Sequence, residues 1–136
     1  MKRIENLAVG QIQQSGVVAN ASFSLATAAG GAQTVSIQLE DGFGYDVAEK
    51  TCVQVYLSSS AVGDGIDGAA DSLAGGTDGS VLSLATGKLA LCQSESDGDI
   101  DIAVADSTSA ATWYMVVVLP NGKRVVSGAI IPTPAG

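Results

Sequence analysis

The chain has 136 residues, 14 acidic against 6 basic, a formal net charge of −8 and no histidine. Its length sets one domain, able to bury roughly two-thirds of its unfolded surface. Its charge excludes binding nucleic acid by neutralising phosphates, because the basic residues Lys2, Arg3, Lys50, Lys88, Lys123 and Arg124 are scattered along the sequence. The lack of histidine removes the commonest general base and transition-metal ligand, so no enzyme activity, catalytic residue or cofactor is expected.

Residues 1–31 form the first unit, expected as an extended N-terminal arm that is partly strand and ends at Gly30-Gly31. Glu5, Asn6 and the glutamines of 11–14 interrupt any apolar stretch, so no secretory signal is expected. Lys2 and Arg3 give this end local positive charge, and Ile4, Leu7, Val9 and Ile12 have no place in a sandwich core. These six residues are the candidate partner-binding residues. Residues 1 to about 16 read either as a frayed terminus or as an arm that is mobile when free and orders on a partner. Val17, Ala19, Ala21, Phe23 and Leu25 alternate with Val18, Asn20, Ser22 and Ser24, which is a strand signal.

The second unit, residues 32–136, reads as β throughout. In 33–39, Val35, Ile37 and Leu39 share one face and Thr34, Ser36 and Gln38 the other. Residues 40–44 (EDGFG) are a turn with two glycines free to take positive φ. A strand follows at 51–57, with Val53, Val55 and Leu57 on one face. Residues 58–80 are turn-rich, with six glycines and four aspartates. Strands at 81–85 and 88–93 flank a Thr86-Gly87 turn. In 99–105, Ile100, Ile102 and Val104 point inward. The last hairpin pairs 112–119 with 123–131 across Asn121-Gly122, read as a two-residue turn with positive φ at both centres. No segment beyond residue 33 has a helical apolar period, and no run of about eighteen apolar residues predicts a membrane-spanning helix. About seven strands separated by turns predict an all-β, Ig-like β-sandwich.

The carboxylates are the remaining candidates for chemistry. Asp97, Asp99 and Asp101 share one face of a strand and could hold a hard cation. The favoured reading is the solvated face of an edge strand, where charge blocks unwanted pairing. Asp64, Asp67 and Asp71 sit in the Gly-rich stretch without EF-hand spacing. They are read the same way, so no metal site is assigned. Cys52 and Cys92 lie in predicted strands and are expected as buried free thiols rather than a disulfide, as suits synthesis in a reducing cytoplasm. Trp113 is expected as a core anchor.

Two resemblances add to this reading. Residues 34–57 (TVSIQLEDGFGYDVAEKTCVQVYL) resemble the opening of bacterial Ig-like modules. The order of VSIQLEDGFGYDVAE, VQVYLS, GGTDGSVL, SESDGDIDIAVADS and ATWYMVVVLPNGKRVVSGAI resembles small structural proteins of tailed bacteriophages and prophages. That resemblance implies a virion component, and the expectation chosen is a capsid decoration protein. Its partner would be the major capsid protein and its location the virion capsid surface. A homo-oligomer is expected; a capsid offers local threefold positions for trimers, though no residue dictates three. The alternatives are a tail, neck or fibre structural protein and an Ig-like carbohydrate-binding module, for which the turns offer Phe43 and Tyr45.

Overall fold

The structure, a computed structural model, describes residues 17–107 and 111–133. These residues form nine strands and no helix: β1 (Asn20–Leu25), β2 (Ala32–Glu40), β3 (Cys52–Ser58), β4 (Ser72–Gly75), β5 (Ser80–Ala85), β6 (Leu89–Gln93), β7 (Asp99–Ala105), β8 (Tyr114–Val118) and β9 (Arg124–Val126). They pair antiparallel into a four-stranded sheet, β1-β2-β7-β4, and a five-stranded sheet, β5-β6-β3-β8-β9. The two sheets make an all-β sandwich.

Alternation builds the core. Val35 pairs with Ile102 and Ile37 with Ile100 in one sheet; Val55 pairs with Val117 and Leu57 with Met115 in the other. All eight side chains are at most 1% exposed. Each such aliphatic contributes about 1.5–3 kcal/mol relative to an exposed position. Trp113 packs half-buried against this core, and its indole N–H donates to the Asp106 carboxylate at 3.0 Å.

Several expectations need correction. The strand in 17–25 belongs to the sandwich rather than to an arm: all six residues of β1 pair with β2, from Asn20–Glu40 to Leu25–Val35. Nine strands form where about seven are expected, in part because the turn-rich stretch 58–80 holds β4. Leu73 anchors β4 in the core at 4% exposure, and β4 pairs with the free side of β7. Strand β7 is therefore internal, not an edge.

The last hairpin pairs β8 with β9 as expected, but through a three-residue loop. Leu119 N–H donates to the Lys123 carbonyl at 2.9 Å, and Gly122 N–H donates to the Leu119 carbonyl at 2.8 Å. Only Gly122 takes a positive φ, +86°. Pro120 presets the negative φ of a type I turn, so Asn121 stays right-handed and Gly122 forms the bulge. Strand β9 also stops short of residue 131. Ser127 interrupts it by donating its N–H to the Met115 carbonyl and accepting the Met115 N–H on its hydroxyl.

Candidate functional site

The candidate partner-binding residues Lys2, Arg3, Ile4, Leu7, Val9 and Ile12 lie outside the described residues. The point where their segment joins the sandwich is described. Val18 is buried, while Val17 is 51% exposed. Ala19 N–H donates to the Glu40 carbonyl at 2.9 Å, which fixes this root beside the end of β2. A groove of about 420 Å³ opens here between Val17, Val18, Glu49, Thr51, Pro120 and Asn121.

The loop that follows β2 rises at the same end. Phe43 is 53% and Tyr45 69% exposed at its tip, although each is large and apolar. Their backbone is held from inside. Asp41 is 3% exposed, and its Oδ1 accepts the N–H of Phe43 at 2.9 Å and of Tyr45 at 3.0 Å. Asp41 N–H donates to the Tyr45 carbonyl at 2.8 Å, and Gly44 closes the turn at φ +85°. Of the two glycines free to turn, only Gly44 uses a positive φ. Both aromatic side chains are thus presented on a fixed loop beside the root of the N-terminal segment.

The acidic residues behave differently from either reading of the sequence. Asp99 and Asp101 face outward on an internal strand. They line a hollow of about 310 Å³ with Ser22, Ser24, Ser36 and Asp78. Asp101 accepts the Ser36 hydroxyl at 2.7 Å and the Asp78 N–H at 3.3 Å, so its charge serves the loop crossing between the sheets. Desolvation, then the neighbouring Asp97 charge and hydrogen bond, push Asp99 up to about 6, with smaller contributions from Asp78 and Asp46. Asp67 accepts the Ser59 hydroxyl and N–H, which holds its carboxylate below the usual range. Asp71 accepts the Ser107 N–H at 3.0 Å and its hydroxyl at 2.8 Å. Asp64, Asp67 and Asp71 therefore do not converge. Among the described residues, no group of three or more His, Cys, Asp or Glu is arranged to hold a metal ion.

Both cysteines are free, but only Cys92 is buried. Burial pushes its thiol up to about 12, so it stays protonated. Cys52 is exposed because it shares the outward parity of Gln54, opposite to Val53 and Val55.

On the outer face of the five-stranded sheet, residues 59–67 cross over β3, β8 and β9. The Gly63 carbonyl accepts the Tyr56 hydroxyl at 2.5 Å and the Arg124 guanidinium at 3.2 Å. Val116 lies beneath at 0% exposure. The described residues give the rest of that face, on β5 and β6, no such cover: Leu82, Leu84 and Leu91 are 60%, 50% and 36% exposed. Nothing in the sequence marks this division, because the loop follows β3 directly but meets β8 and β9, about fifty residues further on, only through the fold.

No protein-family model and no curated protein sequence matches the chain. Among solved structures it is similar to a cohesin module from a family 33 glycoside hydrolase of Clostridium perfringens. The TM-score is 0.40 and the identity 12%, over 84% of this chain and 93% of the module. Similarity at that level says nothing about what this chain binds. Among the described residues no helix is long and apolar enough to cross a membrane.

Proposed function

We propose that this chain is a non-enzymatic structural protein of a tailed-bacteriophage virion: a capsid decoration protein that attaches to the major capsid protein. The reading rests on the resemblance of its ordered runs to phage structural proteins. The structural observation that carries it is the convergence of three features at one end of the sandwich. These are the root of the N-terminal segment at Val17, the groove beside Pro120, and the fixed, exposed pair Phe43 and Tyr45.

In this mechanism the sandwich end seats on one capsid subunit and residues 1–16 cross the seam to the next. Each buried aliphatic among Ile4, Leu7, Val9 and Ile12 contributes about 1.5–3 kcal/mol. Ordering the segment on the shell opposes that gain, so the arm acts mainly as a second anchoring point rather than through a large contact energy of its own. Two attachment points on adjoining subunits act together, and binding only to the assembled shell stabilises that shell by mass action. The acidic surface keeps neighbouring copies soluble, while the basic Lys2 and Arg3 mark the end that approaches the partner.

The test is binding to purified shells that lack the chain. The full chain should bind, a chain lacking residues 1–16 should stay folded and bind more weakly, and Phe43→Ser with Tyr45→Ser should weaken binding further. Unchanged binding by both variants would remove the proposed surface.

The exposure of Tyr45 also favours a second reading, a carbohydrate-binding module, since sugar faces stack on fixed exposed aromatics. Glycan-array binding lost in the Phe43 and Tyr45 variant, without any shell binding by the full chain, would select it.

A further inference from the structure

We propose that the β5 edge and its leucine face form a self-association surface, on which a second copy of this chain docks by antiparallel β5–β5 pairing. Among the described residues the sandwich has four edge strands, β1, β4, β5 and β9. Strand β9 is three residues long and carries Arg124; β4 is four residues long; β1 shows exposed Ser22 and Ser24 on its outer side. Short strands, charge and polar outer faces all discourage pairing between molecules. Strand β5 has none of these guards. It is six residues long, SVLSLA, without charge or proline, and it presents Leu82 and Leu84 beside Leu91 of β6.

The occupant follows from charge. In a chain of net charge −8, no side chain from 79 to 87 or from 89 to 94 is charged. A second copy can therefore approach here without meeting like charge. The two ends of β5 also differ in sign. Asp78 precedes it, with Glu95 and Lys50 lining the hollow next to Ser80, and Lys88 follows it. Antiparallel pairing brings the Lys88 end of each copy to the Asp78 end of the other.

The geometry is self-complementary. Cross-strand partners share a face, so placing Ser83 on a two-fold axis sets Leu82 of one copy opposite Leu84 of the other. The register shift between Ser83 and Ala85 makes Leu84 the extra residue of a bulge, which shortens the ladder without turning Leu84 inward. Such an isologous contact closes at two copies. One short strand and three leucines per copy make a small interface, so the dimer is reversible rather than obligate.

Sedimentation velocity of the full chain over a concentration series tests this and needs no capsid, so it stands apart from the virion reading. The wild-type chain should pass from monomer to dimer. Leu82→Lys and Leu84→Lys, at positions already half exposed, should each remain monomeric at every concentration with an unchanged melting temperature. Ser24→Lys, on the outer side of β1, should dimerise like wild type. A monomer throughout, a trimer, a dimer that survives both leucine substitutions together, or loss of the dimer in Ser24→Lys would overturn the proposal.

Discussion

Asp41 and Tyr45 are joined twice: the Asp41 carboxylate accepts the Tyr45 N–H at 3.0 Å, and Asp41 N–H donates to the Tyr45 carbonyl at 2.8 Å. The same carboxylate accepts the Phe43 N–H. Asp41→Ala removes the acceptor for two backbone donors in a buried position. It should cost about 1–3 kcal/mol in urea unfolding and should loosen the 41–46 loop in amide exchange. Asp41→Asn keeps one acceptor oxygen and should lose less.

The left-handed glycines separate into two kinds. A Cβ on Gly122 would meet nothing within 4 Å, so Gly122→Ala pays only the conformational penalty, about 1–2 kcal/mol. A Cβ on Gly63 would lie 2.6 Å from Val116 Cγ2, and the residue also takes φ +68°. Gly63→Ala should therefore destabilise clearly more than Gly122→Ala, and should expose Val116 by lifting the loop. Equal losses in denaturant titrations would contradict this packing.

Asp99 links stability to pH. Its folded value, raised to about 6, exceeds the ordinary 3.8, so the folded state holds this proton more tightly than the unfolded state. The associated stabilisation is complete below about pH 4 and is lost as pH rises through 6. Asp99→Asn stays neutral and should gain on wild type across that window. The gain should be on the order of 1 kcal/mol at pH 7 after allowance for solvent screening. Thermal melts from pH 4 to 7 measure it; a constant difference would refute the assignment.

Thiol chemistry distinguishes the two cysteines. The exposed Cys52 should react with a disulfide reagent in the native protein. Cys92, buried and held protonated, should react only on unfolding. Titration before and after denaturant should give one thiol and then two.

Much of the fold is legible in the side-chain alternation of 34–39 and 99–105, because each inward residue there is aliphatic and each outward one polar or small. Strand β4 is not legible: Leu73 is its one large apolar residue, and its partner is the free side of β7. The acidic outer face of β7 suggests an edge, but Ser36 and the Asp78 backbone satisfy Asp101 from neighbouring segments, which lets the strand sit inside the sheet. At the candidate site, Phe43 and Tyr45 stand out in sequence as aromatics in a turn. The burial of Asp41 beneath them depends on how the loop folds back, and no local pattern encodes it. The outward leucines of β5 escape notice for a related reason: apolar alternation shows that a strand has two faces, not which face lacks a cover.

The attachment claim is tested most directly by a cryo-EM map of the virion that carries this chain. The map should show the sandwich at the repeating sites of the capsid shell, with Val17, Phe43 and Tyr45 against the major capsid protein and residues 1–16 running across a subunit seam. Density for the chain only in the neck, tail or fibres, or a shell-bound sandwich with that end facing solvent, would contradict it.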